Sequence, residues 1–422
     1  MTTTGDAVAE LDDGRCVLVD GVAEGEQVEV ELPRKGGRLP RARLRAVLEP
    51  SPARVTPPCP LSERCGGCDW MHLSAETRGE LHRRHVAELL ARATGQERLP
   101  TIAYHRPNEP LGYRTRARLA VSAKGDRPRV GFRRDKSRRL VEVDHCPVLC
   151  DALSKAPTTI GSWLAGAQGS GEAQVALGAA GRWVVDLHFD GDLASESFAT
   201  AANQVEVGAW AGVDIWCAGA TAPATFGDPR AVIADLGGAP LLIAPGGFAQ
   251  PSDRGAALLA ERVVELVGRG GRGRLVELFA GSGTLSVVLA PLADPFVAVE
   301  QSPAAVEQLR DNLAARGLAG KVQVGDANGF AVPRPTATVV LDPPRAGARG
   351  ATASLVAARP RQIIYVSCNA TTLARDLAKL CQRDYAITEI ELFELFPQTS
   401  HVECVVRLVR GGSSPEQPAG TG

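Results

Sequence analysis

RLVELFAGSGTLSVVLAPLADPFVAVE, residues 274–300, decides the fold. An apolar run ends in Gly281-Ser282-Gly283-Thr284, a helix-compatible stretch follows, and a second apolar run, FVAVE, closes on Glu300. Strand, glycine loop, helix and strand in that order form one βαβ unit. Glycines at the end of its first strand let the backbone pass close to a ligand. An acid about 20 residues past the glycines is placed to hold both hydroxyls of a ribose; the competing reading of Glu300 is a helix N-terminal acid before Ser302-Pro303. Leu285 follows Thr284, so the third glycine of the dinucleotide fingerprint is missing. The unit predicts an adenosine-bearing ligand and does not separate NAD from S-adenosylmethionine.

Downstream the alternation continues. Strands are predicted near 321–325, 336–342 and 361–367 with helices between them, and two more near 386–395 and 402–409. Together with 274–279 and 295–300 they make a doubly wound α/β sheet. Asp326 follows the third strand, where an acid meets an adenine amino group or serves only as a turn residue. TATVVL runs into Asp342-Pro343-Pro344-Arg345. Tandem prolines force an extended exit from the sheet and leave Asp342 at its carboxyl edge, beside the crevice. RQIIYVS runs into Ser367-Cys368-Asn369 ahead of the helix TTLARDLAKL. Cys368 thus stands at a helix N-terminus, whose dipole is expected to stabilise a thiolate and lower its pKa. It reads as a nucleophile, whereas Cys381 and Cys404 lie inside a helix pattern and a strand pattern and read as structural.

Toward the N-terminus the composition changes. The chain has 422 residues, enough for two to four domains at about 150 residues each, and its net charge of −1 argues at first against a nucleic-acid partner. That total is a cancellation. Residues 1–32 carry one Arg and nine acids, residues 33–145 carry 25 Lys and Arg against 12 acids, and residues 146–422 carry 21 against 27. The basic excess gathers in Arg34, Lys35, Arg38, Arg41, Arg43 and Arg45, and again from Arg114, Arg116 and Arg118 through Lys124 to Arg139. Arginines two apart in a strand share a face, and a row of guanidiniums suits a phosphate backbone. AVAEL, CVLVD, QVEVEL and RARLRAVLE between residues 6 and 50 read as short strands separated by turns. They predict a small β-barrel of the oligonucleotide-binding type. Residues 74–93 read as a helix capped by Ser74, and GGSSPEQPAGTG, residues 411–422, as a disordered tail.

The N-terminus has no leader-like apolar run, no stretch approaches the ~18 apolar residues of a membrane span, and ten cysteines without a secretion signal point to a reducing cytoplasm. Cys59, Cys65 and Cys68 are spaced C-x5-C-x2-C in PPCPLSERCGGC, and Cys146 follows 78 residues later in HCPVLC. Three thiols within ten residues of a Gly/Pro loop suit an iron–sulfur cluster, and zinc satisfies the same spacing. Cys150 is a possible substitute for Cys146. The nearby His72, His82, His85 and His145 are given surface or packing roles.

ELFAGSGTLS, VLDPPRAG, YVSCNATTLARDL and ELFPQTSHVE resemble, in that order, the motifs of the RNA uracil-5-methyltransferases, and the resemblance covers nearly the whole chain. It implies a Rossmann-like class I methyltransferase sheet of seven strands, the last antiparallel, with an N-terminal OB-like barrel similar to the family's TRAM module and a mixed α+β central domain. The implied division is residues 1–55 for the barrel, 56–245 for the cluster loop and central RNA-binding domain, 246–411 for the methyltransferase domain and 412–422 for the tail. It implies methyl transfer from S-adenosylmethionine to carbon 5 of a uridine in structured rRNA or tRNA. Cys368 is the implied nucleophile and Glu403 the base; alone, Glu403 would read as an exposed strand carboxylate. Implied cofactor positions are Gln250, Phe279, Glu300 and Asp342, beside the Gly281 and Gly283 loop and Asp326. Cys59, Cys65, Cys68 and Cys146 become ligands of a 4Fe-4S cluster, with zinc as the less favoured alternative. The chain departs from the family's Gln-x-Asn by reading Gln250-Pro251-Ser252, so the backbone donor of residue 251 is absent. Two rival readings are an amino-group methyltransferase, which an aromatic residue in place of Arg345 would favour, and an RNA chaperone without catalysis, which loss of Cys368 or Glu403 would favour. A monomer is the default.

Overall fold

In the computed structural model, residues 1–2, 5–33, 37, 39–96, 98–124, 127–134, 136–234 and 236–411 are described. The expected tail, residues 412–422, lies outside them, as do Arg34, Lys35 and Arg38 of the first basic cluster.

The N-terminal strands β1 (Ala7–Glu10), β2 (Cys16–Val19), β3 (Gln27–Glu31) and β4 (Arg41–Glu49) pair in the order β1-β2-β4-β3. The expected barrel is corrected to an open, curled sheet: among the described residues β1 and β3 remain as edges. β2 and β4 share a ladder of only two residue pairs, Leu18 with Arg41 and Val19 with Ala42, too short to carry the sheet round to closure. Its small core is Ala7, Val17, Val19, Val22 and Ala42. The Trp70 indole N–H donates to the Gly5 carbonyl at 3.1 Å and ties this sheet to the loop that follows Cys68.

Next come helix α1 (Ala75–Thr94), capped by Ser74 as expected, and strand β5 (Ile102–His105). The central sheet is built from β6 (Arg116–Ala123), β7 (Arg129–Arg133), β8 (Leu140–Glu142), β9 (Gln168–Leu177), β10 (Trp183–Asp192), β11 (Trp210–Cys217) and β12 (Ala224–Gly227), in the order β12-β11-β10-β9-β6-β7-β8. One of its faces is apolar: Leu119, Val175, Leu187 and Ile215 are buried in a core shared with α2 (Ala156–Trp163) and α3 (Ser195–Glu206). Period-2 alternation leaves polar residues on the other face. The row Arg114, Arg116, Arg118 is not the uniform exposed edge that its spacing suggested. Arg118 is exposed, but Arg116 is buried, paired with Asp253 at 3.0 Å and donating to the Gln250 carbonyl.

A short hairpin, β13 (Ala231–Ile233) and β14 (Leu241–Ile243), leads to helix α4 (Asp253–Gly268). Then follow β15 (Leu275–Leu278), α5 (Ser286–Leu289), β16 (Phe296–Glu300), α6 (Pro303–Ala314), β17 (Lys321–Val324), β18 (Thr338–Leu341), α7 (Arg349–Ala358), β19 (Gln362–Ser367), α8 (Ala370–Cys381), β20 (Tyr385–Phe393) and β21 (Glu403–Arg410). The sheet order is β17-β16-β15-β18-β19-β21-β20-β5. β21 is antiparallel to both neighbours, and the run from β17 to β19 is parallel. Every residue of β15, β18 and β19 is buried, because helices cover both faces of the sheet. The sheet has eight strands where seven were expected. β5 joins β20 in parallel, Ile102 opposite Ile390, and Val86 and Leu90 of α1 pack into the core that holds Leu377 and Leu380 of α8.

Candidate active site

Both halves of the site lie at the carboxyl edge of this sheet. At the first, β15 ends and Phe279 takes a left-handed φ of 64° before Gly281 and Gly283. A Cβ on Gly283 would stand 2.3 Å from Leu309, so only glycine lets α6 pack there. Nothing lies within 4 Å of a Cβ on Gly281, which leaves that face of the loop open to a ligand. The Glu300 carboxylate accepts from the Gly281 N–H at 3.0 Å and from the Ser302 N–H at 2.8 Å, so it bridges the loop and the start of α6. Asp326 is exposed and accepts from the Asn328 N–H at 2.9 Å, the geometry of a turn aspartate. Gln250 is buried on the segment before α4, and its Oε1 has no partner among the described residues. Beside it, Ser252 accepts from the Gly255 N–H at 3.0 Å and caps α4, while the Pro251 carbonyl accepts from the Thr115 N–H at 2.9 Å. The departure at Pro251-Ser252 therefore has a local role of its own. An open glycine loop, a strand-end carboxylate and an orphaned buried amide oxygen fit an adenosine-bearing cofactor.

At the second, Cys368 follows β19 and Glu403 opens β21. The register sets Ser367 opposite Cys404, so antiparallel neighbours bring the end of one strand and the start of the other to one edge. Asp342, after β18, flanks the same place. Glu403 is buried, and its Oε1 has no hydrogen-bond partner among the described residues. Burial, with Asp342 nearby, holds its carboxyl well above the usual range, against the pull of Arg345. Burial likewise pushes Asp342 up to about 7. The expected lowering of the Cys368 thiol is corrected. Burial, with Glu403 and Asp342 beside it, pushes that thiol up to about 11 despite Arg345. The helix terminus cannot reverse this, because Asn369 caps α8 itself, accepting from the N–H groups of Thr371 and Thr372 at 3.0 and 3.3 Å.

Residues not singled out in the sequence hold this edge together. Asn369 and Thr372 both donate to the Arg345 carbonyl, at 3.2 and 3.1 Å. Arg375 donates to the Ala346 carbonyl at 2.9 Å, and buried Asp376 accepts from the Ala348 N–H at 2.7 Å and the Tyr365 hydroxyl at 2.8 Å. Thr372, Arg375 and Asp376 are spaced three and four apart on α8, and that was the available signal. The segment before Glu403 is fastened from afar: Asp69 accepts from the Ser400 N–H at 2.9 Å, and the Trp70 N–H donates to the Gln398 carbonyl at 2.9 Å. Arg78 donates to Glu394 at 2.8 Å and Gln398 at 3.2 Å.

Cys59, Cys65, Cys68 and Cys146 line one small pocket, closed by Met71 and Phe132. Burial, and the nearness of the other cysteines, raise the thiols of Cys65, Cys68 and Cys146; Cys68 reaches about 12, and Arg114 opposes the shift in all three. Cys150 is not part of that lining. Among the described residues no group of three or more His, Cys, Asp or Glu side chains is placed to hold a metal ion. His72, His82 and His85 are buried packing residues, and His82 stacks on Trp70 with ring centroids 5.0 Å apart.

The strand order, the antiparallel last strand of the helical run and the glycine loop under a strand-end carboxylate define a class I, S-adenosylmethionine-dependent methyltransferase. Two family models match, tRNA (uracil-5-)-methyltransferase over residues 334–411 and methyltransferase small domain over residues 240–363. The chain is 34% identical to the 23S rRNA (uracil(1939)-C(5))-methyltransferase RlmD of Chromohalobacter salexigens, over 96% of this chain and 87% of that one. It is 32% identical to the protein of the same name from Pseudomonas putida, over 94% and 90%. The crystal structure of Pyrococcus abyssi tRNA (uracil-54, C5)-methyltransferase with S-adenosyl-L-homocysteine superposes with a TM-score of 0.71 at 23% identity, covering 96% of this chain and all of that one. The chain belongs to the RNA uracil-5-methyltransferase family. It is an enzyme that uses S-adenosylmethionine to methylate carbon 5 of uridine in RNA. No helix among the described residues is long and apolar enough to cross a membrane.

Proposed function

We propose that the substrate is 23S rRNA and that Cys368 and Glu403 carry the chemistry. Two relatives that span nearly the whole chain are named for 23S rRNA. The observation that carries the mechanism is the unpartnered carboxylate oxygen of Glu403 at the sheet edge it shares with Cys368. Carbon 5 of uracil is too weak a nucleophile unaided. The Cys368 thiol gives its proton to solvent, and its sulfur bonds to carbon 6 of a uridine flipped out of its stack. The displaced π pair makes carbon 5 an enolate-like nucleophile. Bound S-adenosylmethionine supplies the methyl group on a sulfonium that leaves as a neutral thioether. Glu403 as carboxylate then takes the carbon 5 proton, the double bond re-forms, and Cys368 departs as thiolate. Arg345, beside both groups, steadies the negative charge passed between them.

Gln250, Phe279, Gly281, Gly283, Glu300, Asp326 and Asp342 are the residues we assign to the cofactor, Glu300 to the ribose and Asp326 to the adenine amino group. Cys59, Cys65, Cys68 and Cys146 suit a 4Fe-4S cluster, which takes one thiolate at each iron. Zinc with four cysteines is the rival occupant. The cluster's part is structural: it stiffens the loop whose Asp69 and Trp70 fasten the segment before Glu403. In this reading residues 1–55 and the basic stretch 33–145 dock RNA, 56–245 carry the cluster and further RNA contacts, and 246–411 supply cofactor and chemistry, in a monomer. Incubation with labelled S-adenosylmethionine and unmodified 23S rRNA, then nucleoside analysis, tests the substrate. 5-Methyluridine is expected, and its absence from rRNA with formation in tRNA would reassign it. A brown anaerobic preparation containing iron and sulfide supports the cluster; a colourless one containing zinc refutes it.

A further inference from the structure

A large cleft opens over the polar face of the central sheet, away from Cys368 and Glu403. Strand register arranges its floor in two rows. Arg118, Gln174, Asp186 and Asp214 lie side by side across β6, β9, β10 and β11, and Glu172, His188 and Trp216 lie side by side across β9, β10 and β11. The His188 and Trp216 rings are stacked, centroids 5.6 Å apart and 9° from parallel. The His188 side chain is 60% exposed and Trp216 is half-buried beneath it, so the pair presents one open ring face to the cleft. The carboxylates are held in place: Asp186 accepts from His188 at 3.1 Å and Asp214 from Thr225 at 2.6 Å.

The other side of the cleft is cationic, with Arg118, Lys124, Arg129, Arg133 and Arg138 on its lining. Arg118 pairs with Glu172 at 3.3 Å; Lys124, Arg129, Arg133 and Arg138 form no ion pair with the described residues. Gly246 and Ala304 close the far wall, and Ala304 lies in the first turn of α6, four residues past Glu300. Charge, an open polar sheet face and a stacked ring pair are the combination that single-stranded nucleic acid uses: cations track phosphates, and π-faces stack bases without sequence preference.

We propose that this cleft holds an unpaired stretch of the RNA substrate, with one base stacked on the His188–Trp216 pair, its amino edge toward Asp214 or Glu172, and the flanking phosphates on the arginine rim. The site rests on the enzyme's being an RNA methyltransferase and adds a second point at which the RNA is read, outside the catalytic edge.

Anisotropy of a dye-labelled, unstructured RNA of about 12 nucleotides, added to the full-length protein, reads the cleft whether or not that RNA is methylated. His188→Ala and Trp216→Ala are each expected to weaken binding about tenfold. They should change binding of heparin, which has charge and no bases, less than about twofold. Arg129→Gln with Arg133→Gln should weaken both probes and lower the salt slope for the RNA by about 1.4. On a methylatable 23S fragment the aromatic variants raise KM and leave kcat within about twofold, because stacking at a distance holds ground state and transition state alike. The proposal is overturned if His188→Ala, whose side chain is already exposed, leaves RNA affinity unchanged, or if the aromatic variants weaken heparin as much as RNA. A wild-type enzyme that methylates no 23S fragment would count against the rRNA assignment alone, since the anisotropy stands apart from turnover.

Discussion

β20 and β21 carry buried carboxylates at two places, and the fold treats them in opposite ways. Glu391, within β20, receives two hydrogen bonds from Arg262, at 2.8 and 2.9 Å, and lies 2.8 Å from the His105 ring. Burial alone would raise its pKa, but Arg262 and His105 outweigh it and hold the carboxyl below the usual range. Glu403, at the head of β21, has an oxygen with no partner among the described residues and is raised. A satisfied carboxylate marks a joint and an unsatisfied carboxyl marks a working group: Glu391 fastens α4 and β5 to the sheet, whereas burial gives Glu403 the high proton affinity that a base needs once it is ionised.

The comparison breaks most visibly by removing the working groups. Cys368→Ala is expected to abolish 5-methyluridine formation, and Glu403→Gln to lower turnover by about 10²–10⁴-fold while the RNA–Cys368 adduct accumulates. Denaturing gel shift with labelled RNA reads that adduct; without a shift, Glu403 acts before the adduct forms. Both changes should cost little stability, since each replaces a neutral buried group by another neutral one of equal or smaller size. Glu391→Ala is expected to do the reverse, costing about 2 kcal/mol through loss of the hydrogen bonds from Arg262 and His105, although Arg262 keeps Glu265, as chemical denaturation would measure. The wild-type contribution of Glu391 is fully present above its unfolded pKa near 4.5 and is lost as pH falls through the lowered folded value.

Much of this was legible in the sequence, and the exceptions share a cause. All seven expected strands of the methyltransferase sheet were read from apolar runs, most easily β15, β18 and β19, because a strand buried on both faces needs little context. β5 was missed because IAYH is four residues long and its partner, Ile390, lies almost 300 residues away. Arg116 looked like a phosphate ligand by spacing alone; its burial against Asp253 depends on where α4 packs. Cys368 was located correctly and its titration given the wrong sign. Its helix position is local information, whereas Glu403 and Asp342 arrive from other strands. The strands of the central sheet were not placed from the sequence, and the polar face with His188 and Trp216 emerges only once they lie side by side.

Asp342 sharpens the comparison with an effect of opposite sign. Its folded pKa of about 7 lies above the unfolded 3.8, so the folded state binds the proton more tightly. Stability is greatest below the unfolded value and falls as pH rises toward 7. Asp342→Asn, which cannot ionise, is therefore expected to gain on the order of 4 kcal/mol near pH 8 and little near pH 4. The same substitution should weaken cofactor binding, and a gain in melting temperature alongside a loss of affinity would show that site and fold compete for this residue.

The smallest effect concerns Cys368 without its ligands. A thiol near 11 is almost wholly protonated at neutral pH, so alkylation by iodoacetamide should rise about tenfold per pH unit between 7 and 9. Peptide mapping separates it from the other cysteines. Burial keeps the thiol neutral, and Glu403 and Asp342 add repulsion to the extent that they are ionised, so a positive sulfonium beside them should relieve that part. Adding S-adenosylmethionine is thus expected to speed Cys368 labelling at fixed pH, whereas the neutral thioether S-adenosylhomocysteine should not. Equal labelling with both would mean that the thiol answers to burial and not to charge, and that arrival of the RNA, not of the methyl donor, releases the proton.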